Sequence, residues 1–219
     1  MEPDFWHERW QTNQIGFHQA DINPHLRQFW PAIAVPSEAP VFVPLAGKSL
    51  DLRWLHDLGH PVVAVELSPL AVGDFFAGQG LDPGRRSAGA TELWEAGGYR
   101  IHCGDFFALT AADLTGVGGV YDRASLIALP PSLRARYAAH LLAILPEAAP
   151  ILLVSFEYEQ DKMSGPPFSV GEEEIRRLYE PARTVRSLHR LDILGQEPRF
   201  QTRGLTYLRE AVYGIGPRG

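Results

Sequence analysis

Apolar and polar positions along the chain alternate between two kinds of stretch. Short, nearly continuous apolar runs at 41–45, 62–66, 99–102, 119–123 and 151–156 read as buried strands. Between them lie stretches of helical period. Residues 49–58 carry Leu50, Leu52, Trp54, Leu55 and Leu58. A second helix starts at Ser68-Pro69, serine as cap and proline in the first turn, with Leu70, Val72, Phe75 and Phe76 as its stripe. A third covers 132–145, capped by Ser132, with Leu133, Tyr137, Leu141, Leu142 and Leu145. Shorter helices are expected at 110–114 and 171–180, and two more precede the first strand, at 3–13 and from Asp21 with Pro24 in its first turn. Residues 81–97 read as irregular, with one turn at 91–94. The tail from Val185 to Ile215 reads as two more strands joined through Pro198. Strands separated by helices predict an α/β domain whose parallel sheet is covered on both faces. The last two strands lack a helix between them, which predicts an antiparallel C-terminal edge.

Composition narrows the functional classes. A chain of 219 residues suits one domain with a sizeable core. The net charge of −6 is the wrong sign for a nonspecific nucleic-acid binder. One cysteine, Cys103, excludes an intrachain disulfide and a cysteine-rich metal site, and no His/Cys spacing suggests a metal. No run approaches the ~20 apolar residues of a membrane span, and the N-terminus has no signal-type apolar segment, so a cytoplasmic protein is expected.

The stretch Val41–Glu66 carries the clearest chemistry. It runs apolar strand, Ala46-Gly47-Lys48-Ser49, helix, apolar strand, and ends on an acid. Ligands of such sheets bind beyond the carboxyl ends of the strands. A carboxylate at Glu66 is placed to accept hydrogen bonds from ribose hydroxyls, unless it is only a surface acid ending a strand. There is no G-x-G-x-x-G series, and Phe42 stands where a phosphate loop needs its first glycine. That favours a nucleoside cofactor without pyrophosphate over NAD or ATP. Asp105, Asp122-Arg123, Glu157 and Tyr158 are expected on the same rim. Arg123 is either a local structural charge or a ligand contact. Trp10 and Phe17 are candidates for an aromatic lid, and Pro166-Pro167-Phe168 for another wall.

Taken together, FWHERWQTNQIGFHQ, VFVPLAGKSLDLRWL, VVAVELSPLAV, YDRASLIALPP and SGPPFSV resemble the bacterial members of the thiopurine S-methyltransferase family, over nearly the whole chain. The resemblance implies a class I, Rossmann-like methyltransferase fold: a mostly parallel seven-stranded sheet with helices on both faces. It implies one domain over 1–219, with an N-terminal helical lid at about 1–35 and a substrate-side insertion at about 157–181. The implied cofactor is S-adenosyl-L-methionine, held by Trp10, Leu45, Glu66 and Arg123, with no metal. Phe17, Phe168 and Arg199 are the implied substrate-side residues, and Arg123 a group that orients the acceptor. The implied activity is methylation of an aromatic or heterocyclic thiol by a monomer. Alternatives are an acceptor of reduced selenium or tellurium, or a noncatalytic nucleoside-binding regulator. Ala46 stands where many bacterial members carry cysteine, a change that keeps the turn small.

Overall fold

The computed structural model describes residues 3–16 and 18–218. Two short helices come first, α1 (Pro3–Gln11) and α2 (Pro24–Phe29). Asn23 caps α2, its side chain accepting from the amides of His25 (2.9 Å) and Leu26 (3.4 Å). The core then alternates: β1 (Val41–Val43), α3 (Asp51–Asp57), β2 (Val62–Glu66), α4 (Pro69–Gly78), β3 (Gly84–Ala88), β4 (Thr91–Ala96), β5 (Tyr99–Cys103), β6 (Gly119–Arg123), α5 (Pro131–Ile144), β7 (Ile151–Tyr158), α6 (Glu172–Tyr179), β8 (Thr184–Asp192), α7 (Pro198–Gln201) and β9 (Leu208–Gly216). Ser68 caps α4 as its position suggests, accepting from the amide of Ala71 at 3.4 Å.

The sheet runs β3-β4-β5-β2-β1-β6-β7-β9-β8. The central five strands are parallel, and a hairpin of antiparallel strands closes each edge. Every residue of β1 and β2 is buried, which is why both read as unbroken apolar runs. Their side chains divide by parity. Phe42, Val63 and Val65 enter the core shared with α5 and α6, whereas Val41, Val43, Val62 and Ala64 enter the core under α2, α3 and α4. The chain builds outward from β1 to β2 and β5 on one side, and to β6 and β7 on the other. That reversal opens a crevice above the carboxyl ends of β1 and β6.

Four expectations need correction. Among the described residues the sheet has nine strands, not seven, because residues 84–96 form the β3–β4 hairpin. β4 pairs with β5, Trp94 opposite Ile101, so pairing recruits a stretch that reads as irregular. β3 is exposed along nearly its whole length and therefore carries no apolar alternation. Residues 110–114 form turns rather than a helix, the Asp113 carboxylate accepting from the Thr110 amide (2.8 Å) and hydroxyl (2.7 Å). Helix α5 begins at Pro131 after Pro130, so Ser132 lies inside the first turn and is not the cap. Pro198 opens the short α7 between β8 and β9 instead of joining them directly.

Candidate active site

The crevice holds a cavity of about 650 Å³. Its floor is made by the residues that follow the parallel strands: Leu45 to Ser49 after β1, Glu66 and Leu67 at β2, Gly104 and Asp105 after β5, and Arg123 and Ala124 at β6. Two non-glycine residues there adopt left-handed backbone, Leu45 (φ 47°) and Ala124 (φ 61°). Such conformations cost about 1 kcal/mol or more and cluster where a ligand must be met. Ser125 joins these two turns, its hydroxyl donating 2.9 Å to the carbonyl of Pro44.

Glu66 is buried, and each of its carboxylate oxygens accepts one backbone amide. Gly47 donates to Oε2 and Ser68 to Oε1, both at 2.8 Å. Burial pushes the carboxyl up from its ordinary range, while the amides of Ser68, Gly47 and Leu67 pull it back. A carboxylate has about four acceptor directions, so these amides leave it further acceptor capacity. The amide of Gly47 is the donor a phosphate would need, and it already serves Glu66. The loop is therefore not a phosphate cradle.

Trp10, on α1, is buried against this loop. Gly47 has φ +56°, and a Cβ there would lie 3.2 Å from the Trp10 ring. Lys48 pairs with Asp74 at 2.9 Å and stands 5.8 Å from the centre of the Trp10 ring. On the other flank the buried Asp51 accepts from the Asn23 amide (2.8 Å) and the Tyr121 hydroxyl (3.1 Å), with the Arg123 guanidinium 3.9 Å away. Burial and the Asp51 charge hold the Tyr121 hydroxyl well above its ordinary range, so it stays a neutral donor. Arg199, on α7, donates to the carbonyl of Gly16 at 3.2 Å and meets Glu197 at 3.2 Å, bringing α7 against the N-terminal segment.

Trp10, Leu45, Glu66, Arg123 and Arg199 thus share one cavity. Phe168 does not line it. Pro166 and Pro167 do, while the Phe168 ring faces the Arg134 guanidinium at 5.6 Å. Phe17 lies outside the described residues. Glu157 and Tyr158 are inside β7 rather than on the rim; Glu157 pairs with Arg190, and Tyr158 donates to the Pro167 carbonyl at 2.6 Å. Asp122 is fully buried beneath the rim and accepts from Tyr137 at 2.8 Å, and burial raises it to about 6. Asp105 lines the cavity but spends one carboxylate oxygen on the Phe107 amide. Sequence reasoning missed Asp51, Tyr121, Glu210 and the arginines Arg9, Arg136 and Arg203 of the lining. Asp51 carried the one usable signal, an acid in the first turn of the helix that follows the Gly47 loop.

The family model for thiopurine S-methyltransferase matches residues 1–218. The chain belongs to the thiopurine S-methyltransferase family. It is 50% identical over 215 residues to the thiopurine S-methyltransferase of Pseudomonas fluorescens, covering 98% of this chain and 99% of that one. The Azotobacter vinelandii thiopurine S-methyltransferase is 49% identical over 218 residues, covering 100% of both. Among solved structures, a methyltransferase from Thiobacillus denitrificans in complex with S-adenosyl-L-homocysteine shares the fold, with a TM-score of 0.62 at 16% identity over 96% of this chain and 98% of that one. The chain is accordingly an S-adenosyl-L-methionine-dependent methyltransferase of this family's type. The residues present fit that donor: Glu66 brings a carboxylate to the cavity lining, and the Gly47 amide beside it is already spent on that carboxylate rather than free for a phosphate. No helix among the described residues is long and apolar enough to cross a membrane.

Proposed function

We propose that the chain methylates the sulfur of aromatic and heterocyclic thiols, thiopurines among them, in the cavity above β1 and β6. The observation that carries this reading is the composition of the cavity wall. Ile127, Leu129, Met163, Pro166, Pro167 and Phe200 give the lining apolar surface, and Arg123 and Arg199 line the same cavity. A flat ring bearing a soft, readily ionised sulfur matches such a wall. S-adenosyl-L-methionine supplies a methyl group on a positively charged sulfur when bound. Glu66 would hold its ribose, Leu45 and Trp10 would line its methionine side, and Arg123 would stand between donor and acceptor. The protein's contribution is alignment and exclusion of water, since a thiolate needs little further activation. Arg199 orients the acceptor from α7.

In this reading residues 1–35 act as a helical lid and residues 157–181 as a substrate-side insertion on one domain. The bonds of Arg199 to Gly16 and of Tyr158 to Pro167 support the two assignments. The working form is a cytoplasmic monomer, which light scattering of the purified protein tests directly. Methyl transfer to 6-mercaptopurine, followed by product mass, is the deciding assay. Tight binding of S-adenosyl-L-homocysteine with no transfer to any aromatic thiol would overturn the acceptor assignment.

A further inference from the structure

The cavity contains many charged groups but few able to take a proton near neutral pH. Among the described lining residues five carboxylates occur, and each is engaged: Glu66 with the Gly47 and Ser68 amides, Asp51 with Asn23 and Tyr121, Asp105 with Phe107, Glu197 with Arg199, and Glu210 with His25 at 2.7 Å. Carboxylates are also weak bases for this purpose. Tyr121 and Tyr137 are buried donors, to Asp51 and Asp122. The arginines and Lys48 carry no acceptor. Among the described lining residues a single imidazole remains, that of His18.

We propose that His18 accepts the proton of the acceptor thiol as it binds, so that the sulfur is a thiolate beside Arg123 before methyl transfer. The S–H bond breaks, its electron pair stays on sulfur, and the proton moves to the unprotonated ring nitrogen of His18. It leaves to solvent once the neutral thioether has formed. This rests on the thiol acceptor argued above.

The surroundings of His18 suit the role. A backbone bond from its amide to the Ile15 carbonyl, 2.8 Å, closes a turn that brings it to the cavity wall. It is half-buried, and three charged groups act on it: Lys48 from the loop after β1, Arg123 from the end of β6, and Asp51 from α3. Burial, then Lys48 and Arg123, lower its pKa from the ordinary value, and Asp51 opposes them. The lowered pKa favours the neutral, proton-accepting ring. Two cations beside a neutral base favour an arriving anion, and the thiolate's charge in turn raises the basicity of His18 at the moment the proton must be held.

The test uses 6-mercaptopurine with enzyme saturated in S-adenosyl-L-homocysteine, so that no turnover occurs. Ultraviolet difference spectra report the ionisation of the bound thiol, and an indicator dye reports protons released. At a pH well below the free thiol's ionisation, the wild type is expected to show bound thiolate with almost no proton released. A full proton in solution, or a neutral bound thiol, would overturn the proposal. In His18→Gln the ionisation midpoint of the bound thiol is expected to rise. Turnover near pH 6.5 should fall on the order of 10²-fold and recover as pH rises. Overlapping spectra and pH–rate profiles for the two proteins would equally overturn it. If the wild type neither binds nor methylates the thiol, the acceptor reading itself has failed.

Discussion

Replacing Glu66 by glutamine tests the proposed role of its carboxylate in donor binding. The side chain keeps its size and loses its charge. In the wild type both oxygens accept a backbone amide at 2.8 Å, from Gly47 and Ser68. An amide group in the same place keeps one oxygen and turns an NH₂ toward the other backbone N–H. One hydrogen bond to a charged acceptor is lost, about 1.5–3 kcal/mol, and a buried N–H is left without a partner. Removing the charge relieves part of this, because burial already disfavours the ionised form. The net effect on folding is therefore on the order of 1 kcal/mol, a fall in Tm of about 2–4 °C for a chain of this length. Binding should suffer more. The carboxylate can accept both ribose hydroxyls, whereas the amide offers one compromised oxygen. A loss of about 2–4 kcal/mol corresponds to roughly 30- to 1,000-fold weaker binding. Calorimetric titration with S-adenosyl-L-homocysteine, beside a thermal melt, separates the two effects. Affinity within threefold of wild type, together with a lower Tm, would mean that Glu66 only braces the Gly47 loop.

Three further outcomes are expected. Gly47→Ala places a side chain at φ +56° and 3.2 Å from the Trp10 ring; it should cost about 1–2 kcal/mol in a urea titration and weaken S-adenosyl-L-homocysteine binding through the displaced ring. Asp122, pushed from 3.8 to about 6 by burial, holds its proton more tightly folded than unfolded. Stability should therefore fall as pH rises from about 4 to about 6, by on the order of 3 kcal/mol, with the penalty fully present above that range; Asp122→Asn should remove this pH dependence from the urea midpoints at pH 4 to 7. Arg123→Lys keeps a charge near Asp51, 3.9 Å from the native guanidinium, but loses the planar fork; kcat/KM for 6-mercaptopurine should drop roughly 10- to 100-fold, about 1.4–2.7 kcal/mol, with Tm nearly unchanged.

What the sequence by itself determined lies where local pattern and tertiary demand coincide. Val41–Val43 and Val62–Glu66 are buried on both faces, so continuous apolar runs were sufficient to mark them. Ser68-Pro69 started a helix by chemistry confined to four residues. The missing glycine series argued against a pyrophosphate site, and the structure supplies the reason, since Gly47 donates its amide to Glu66. The motifs between Phe5 and Val170 carried the family, and with it the methyl donor.

Tertiary structure decided the rest. The β3–β4 hairpin exists because β5 offers a free edge to β4, while β3 itself buries almost nothing. Whether an acid at a strand end faces a ligand depends on how far the strand runs: β7 continues through Tyr158 and keeps Glu157 in the sheet, whereas β6 stops at Arg123 and presents it to the cavity. Asp122 and Arg123 are neighbours in sequence, yet strand alternation buries one under Tyr137 and turns the other toward the site. His18, Asp51 and Arg199 come from three distant segments, and the packing of the N-terminal turn, α3 and α7 brings them to one cavity. Such juxtapositions arise from packing between elements remote in the chain, which no local pattern encodes.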